Sequence, residues 1–197
     1  MTEGNYFQRN KRYIALLLMI VALVIIFSLM SETFFSPGTL KNFIRQNSVL
    51  FVASIGMMMT MLTGGLDLSV GSTGALAGML SGMAMTAMGM EGLGVGLAGI
   101  GIALLVGLAV GTVNGFFIGH LKISPFMVTL AMQAVARGAT IGISNNARIP
   151  ITNETYTWFG GESFKIGALD IPVSVILIVA VAVVALSLIH ILISLLR

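Results

Sequence analysis

Charged residues punctuate this chain at wide intervals, and the stretches between them are long and apolar. Uncharged windows run over 13–31, 46–66, 68–90, 92–121 and 171–196. Each approaches or exceeds the roughly 20 helical residues that cross the hydrocarbon core of a bilayer. A further stretch, 123–143, is interrupted only by Arg137. The pattern predicts an all-α polytopic membrane protein of about six transmembrane helices. Their expected spans are 13–30, 48–63, 69–90, 93–118, 124–143 and 171–195, in one transmembrane domain over 1–197 with a break between helices 2 and 3 at Gly64–Ser72.

That break is the most informative segment. Asp67 has 21 uncharged residues before it and 23 after it. An ionisable group near two spans is costly and marks a candidate functional site. Gly64 and Gly65 can supply the left-handed residue that ends helix 2. Asp67 or Ser69 can then cap helix 3, with Gly71 and Ser72 completing its first turn. A second reading has the exposed helix ends and Asp67 lining a polar path that meets a solute or another subunit. The two are compatible, since a cap at a broken helix also fixes the wall of a pore.

Other local signals bracket the remaining spans. Ser36-Pro37-Gly38 reads as a turn, after which Thr39 can cap a short interfacial helix carrying Leu40, Phe43 and Ile44 on one face. An ordinary loop there is the alternative. Ser124 and Pro125 suit the N-cap and first position of helix 5. The segment 144–170 is polar and reads as the connection to helix 6.

Two patterns concern helix faces. Gly74, Gly78 and Gly82 on helix 3, and Gly107, Gly111 and Gly115 on helix 4, are spaced four apart, as in helix pairs that pack closely. On helix 5, Thr129, Gln133, Arg137 and Thr140 form a polar stripe, a candidate lining for a translocation path. Snorkelling of Arg137 to the interface is the simpler alternative.

Composition narrows the class. Only 9% of residues are charged and 57% are hydrophobic, whereas soluble domains carry about a quarter charged. No cysteine is present, which excludes disulfides and thiolate metal sites. The net charge of +3 is dispersed, so nothing suggests nucleic acid as a partner. Arg9, Lys11 and Arg12 before the first span place the N-terminus in the cytoplasm. Ser31-Glu32-Thr33-Phe34 follows that span without a small-residue cleavage pattern, so it reads as a retained helix. Phosphate-loop, HExxH and GxSxG signatures are missing, and His120 and His190 have no ligand-spaced companions. We expect no enzymatic activity, no metal and no cofactor.

The ordered strings Ser36-Pro37-Gly38-Thr39-Leu40, Gly64-Gly65-Leu66-Asp67-Leu68-Ser69-Val70-Gly71-Ser72, Val113-Asn114-Gly115, Ile123-Ser124-Pro125-Phe126-Met127-Val128-Thr129-Leu130 and Arg137-Gly138 carry a resemblance. The chain resembles the membrane permease of bacterial ABC importers for ribose and related monosaccharides over about Ser36 to Pro150. The resemblance implies an inner-membrane subunit pairing with a second permease copy, a cytoplasmic ATPase dimer and a periplasmic sugar-binding protein. It also implies that further spans and an ATPase-contacting segment follow, making this the N-terminal part of a permease. Leu186 to Ile191 resembles a translated sequencing-adaptor end; a genuine apolar helix end is the alternative.

A stand-alone secondary transporter or channel using Asp67 for ion coupling is the competing class. Inverted repeats would give such a protein internal symmetry, and Gly64–Ser72 has no counterpart in the second half.

Overall fold

A computed structural model describes residues 10–166 and 169–195. Among these residues seven helices and one hairpin follow in order: α1 (Lys11–Met30), α2 (Pro37–Leu62), α3 (Val70–Ala87), α4 (Leu93–Gly119), α5 (Pro125–Ser144), α6 (Glu154–Gly161), β1 (Ser163–Ile166), β2 (Leu169–Pro172) and α7 (Val173–Leu195). Among the described residues, four helical stretches are long and apolar enough to cross a membrane: α1, α4, α5 and Val173–Ile191 of α7. α2 and α3 fall short by hydropathy. Lys41, Arg45, Gln46 and Asn47 dilute the first, and a high content of Gly, Ser and Thr dilutes the second. The protein is thus a polytopic, predominantly α-helical membrane protein.

The chain divides into two compact units, Met1–Phe43 and Ile44–Arg197. In the first, α1 ends at a tight turn where Phe27 stacks on Phe34 and Phe34 meets Phe35 edge-on. Ser36, rather than Thr39, starts α2. Its Oγ accepts the Thr39 N–H at 3.2 Å, and Pro37 takes the first helical position, where its missing N–H costs nothing. The Thr39 hydroxyl donates back to the Thr33 carbonyl at 2.7 Å. No separate interfacial helix forms: α2 runs unbroken from Pro37 to Leu62, because no proline or glycine interrupts it between Gly38 and Gly56.

In the second unit α3, α4 and α5 form the central packing. α3 and α4 are antiparallel, as two hydrogen bonds show: Asn114 Nδ2 donates to Ser69 Oγ at 3.1 Å, and Ser81 Oγ donates to the Gly99 carbonyl at 2.9 Å. The α3 ridge in this contact is Ser69, Thr73, Ala77, Ser81 and Met85, four residues apart. Ser69, Ala77, Ser81 and Met85 are buried. Small residues there let the backbones approach.

Within this chain the α3–α4 contact runs one residue over from the glycine stripes read from the sequence. A methyl group added at Gly74, Gly78, Gly107, Gly111 or Gly115 would meet nothing within 4 Å. Only Gly82 is covered, by Ile149 and Ile151 of the segment after α5. The close approaches are instead at Gly99, where an added Cβ would lie 2.6 Å from Met85 Sδ, and at Gly96, beneath Asn153 and Thr155. Four-residue glycine spacing recurs along both helices, so spacing alone did not identify the face that meets a neighbour.

The polar segment after α5 is also more ordered than a plain connection. It contains α6 and a β1–β2 hairpin pairing Ser163 with Pro172 and Ile166 with Leu169. Glu162 O accepts the Val173 N–H at 3.0 Å, leading directly into α7.

Candidate functional site

The break between α2 and α3 is built by backbone chemistry first. Gly64 has φ +80°, a conformation that strains any residue with a Cβ. The Gly65 N–H reaches the Thr60 carbonyl at 3.0 Å and the Gly64 N–H reaches Met61 at 3.0 Å. This crossed pair closes the end of α2 as a Schellman motif. Gly65 also lies against α5: an added Cβ there would stand 3.4 Å from Pro125 Cβ.

Asp67 then braces the start of α3. One carboxylate oxygen accepts both the Ser69 N–H at 2.8 Å and the Ser69 hydroxyl at 2.6 Å. Ser69 occupies the N-cap position but makes no side-chain bond to the first turn. Of the two cap candidates in the sequence, Asp67 supplies the side-chain acceptor, acting on Ser69. The negative charge sits at the positive end of the α3 dipole, where it is favourable. Ser72 Oγ donates to the Ser69 carbonyl at 2.9 Å; Gly71 is exposed.

Two other helices close on this segment. Asn114, 5% exposed in the apolar α4, donates to Ser69 Oγ. Thr129 of α5, 2% exposed, shares its hydroxyl between the Leu66 carbonyl at 3.0 Å and the Pro125 carbonyl at 2.8 Å. A chain of hydrogen bonds runs Asn114 to Ser69 to Asp67, and Thr129 ties the loop to α5. Sequence segments far apart, around residues 64–72, 113–115 and 124–130, therefore meet at one polar joint.

The stripe on α5 is split by this geometry. Thr129 belongs to the joint. Gln133 is half-buried, Thr140 is half-buried with its hydroxyl returned to the Ala136 carbonyl at 2.8 Å, and Arg137 is exposed. Ser124 precedes α5 as its N-cap without a side-chain bond, and Pro125 fills the first position. His120 ends α4, stacked on Phe116.

A second polar centre, which sequence reasoning missed, lies at the other end of α3 and α4. The turn between them needs three left-handed residues, Gly89, Met90 and Gly92. Asn153 holds it: its Nδ2 donates to the Met90 and Gly92 carbonyls at 3.2 and 3.1 Å, and its Oδ1 accepts the Tyr156 N–H at 3.0 Å, capping α6. An asparagine just ahead of Glu154 was the available signal. Arg45 of α2 reaches the far end of α6, donating to the Gly160 carbonyl at 3.0 Å.

This arrangement defines a helical membrane protein whose helix termini are locked by buried polar contacts, with Asp67 engaged by neighbours on its own loop. A family model described as branched-chain amino acid transport system, permease component, matches residues 39–192. The chain belongs to that permease family. It is 32% identical over 152 residues to the ribose import permease protein RbsC of Escherichia coli, covering 73% of this chain and 44% of the relative. It is 28% identical over 169 residues to the xylose transport system permease protein XylH of Escherichia coli, covering 82% and 42%. The ribose import permease protein of Haemophilus influenzae is 30% identical over 138 residues, covering 70% and 40%. The chain thus spans less than half the length of these relatives. No solved structure matches.

Proposed function

We propose that this chain is part of the transmembrane permease of an ATP-driven importer for a monosaccharide of the ribose or xylose type. Two permease copies would form the translocation path in the inner membrane, with the N-terminus in the cytoplasm. ATP hydrolysis would reside on separate cytoplasmic subunits, and a periplasmic sugar-binding protein would deliver the solute. The permease itself would perform no chemistry and need no cofactor.

The observation that carries this reading is the convergence at the Asp67 joint of segments that also carry the resemblance to ribose permeases. Gln133, Arg137 and Thr140 are the proposed path-facing residues of α5. The helix-break residues Gly64, Gly65, Asp67 and Ser69 set the geometry of the wall instead of touching the solute. Ion coupling at Asp67 has less support, because one carboxylate oxygen is already shared between two Ser69 donors.

The test is deletion of the gene in its own bacterium, followed by uptake of labelled pentoses and labelled branched-chain amino acids. Loss of one pentose with amino-acid uptake intact supports the proposal. Loss of amino-acid uptake alone would move the substrate to the class in the family's description.

A further inference from the structure

The polar joint contains two buried groups that its own hydrogen bonds leave unmatched. Ser69 Oγ has a single hydrogen, and the 2.6 Å contact commits it to Asp67, because a carboxylate only accepts. Asn114 must therefore turn its amide NH2 toward Ser69 Oγ. The orientation of that amide is fixed by the charge two steps away, at Asp67. Its Oδ1 is consequently directed elsewhere, and it finds no hydrogen-bond partner among the described residues.

Thr73 lies one turn along α3, and its N–H donates to the Ser69 carbonyl at 2.8 Å. Its hydroxyl is buried and likewise has no partner among the described residues. Helical threonines ordinarily return the hydroxyl to the carbonyl four residues back. Thr86, Thr112 and Thr140 do so here; Thr73 does not. Two residues bonded to Ser69, Thr73 through its backbone N–H and Asn114 through its amide, thus keep a spare donor on α3 and a spare acceptor on α4.

We propose that an ordered water molecule occupies the α3–α4 joint, accepting from Thr73 Oγ and donating to Asn114 Oδ1. Buried polar groups are satisfied by protein or by water in nearly every folded structure, and such waters take two to four polar partners. A monovalent cation is the poorer occupant, since the site adjoins the positive end of the α3 dipole. The water extends the Asn114–Ser69–Asp67 chain and makes the joint a hydrated contact between α3 and α4.

The test uses the protein expressed from its complete gene and purified in lipid nanodiscs. Thr73→Val keeps the shape and removes the hydroxyl; Thr73→Ser keeps the hydroxyl. If water bridges the pair, Thr73→Val lowers the thermal midpoint by a few degrees and Thr73→Ser restores most of it. Combining Thr73→Val with Asn114→Ala should cost less than the sum of the single changes. A high-resolution map should show density within hydrogen-bonding distance of both oxygens, lost in Thr73→Val. A Thr73→Val protein as stable as the parent or more so, additive losses, or direct contact between Thr73 and Asn114 would each overturn the proposal.

Discussion

Replacing Asp67 separates the hydrogen-bonding role of the carboxylate from its charge. In the parent, one oxygen accepts two bonds from Ser69 at 2.8 and 2.6 Å. Hydrogen bonds to a charged group contribute roughly 1.5–3 kcal/mol each, and neutral ones about 0.5–1.5 kcal/mol. Asp67→Asn keeps an acceptor in place and exchanges charged for neutral bonds, a loss of about 1–2 kcal/mol after allowing for partial exposure. Asp67→Leu removes both bonds and leaves the N–H and hydroxyl of a serine that is 1% exposed without their acceptor. Its cost should be about 3 kcal/mol or more, a large share of the roughly 5–15 kcal/mol that stabilises a folded domain. The assay is thermal unfolding in detergent, alongside the yield of folded membrane protein. Asn should unfold slightly early with near-parental yield, and Leu should lose most of its folded yield. Equal damage from both substitutions would mean that charge, not acceptance, is what the joint needs. A Leu protein of parental stability would refute the bracing role altogether.

Other substitutions probe the rest of the account. Gly96→Ala should destabilise by about 1–3 kcal/mol, because its methyl collides with Asn153 and Thr155, whereas Gly101→Ala, which meets nothing within 4 Å, should be neutral in the same unfolding assay. Asn153→Ala should speed hydrogen exchange across 145–161 and at the Met90–Gly92 turn, since three hydrogen bonds leave with the side chain; unchanged exchange would remove it as a clamp. The chain has no native cysteine, so single cysteines can be labelled cleanly with a water-soluble maleimide. Those at Gln133, Arg137 and Thr140 should react if that face lines the path, while one at Thr129 should stay protected.

Features governed by local chemistry were legible in the sequence. Gly64 before Asp67, and Ser124 before Pro125, announce a helix end and a helix start from backbone preference alone. The apolar windows likewise anticipated α1, α4, α5 and α7 closely. What could not be read was which faces meet. Asn114 looks like any stray polar residue in an apolar helix until Ser69 is placed opposite it. The α3 packing ridge runs through Ser69, Ala77, Ser81 and Met85, beside the glycines at 74 and 78 and not through them. Thr129 belonged to a polar stripe by spacing, yet its hydroxyl turns to Leu66 because the broken helix exposes a carbonyl there. Likewise, Asn153 sits 61 residues from the Gly92 carbonyl it holds, a separation that no local pattern records.

Transport itself tests the proposed function most directly. The protein would be reconstituted in liposomes with the ATPase and binding protein that the proposal requires, then supplied with labelled ribose or xylose. The account predicts uptake that requires both internal-facing ATP and the binding protein, and that persists when ionophores abolish all ion gradients. Uptake without ATP that collapses with the proton or sodium gradient would contradict it, and would return Asp67 to the role of a coupling carboxylate.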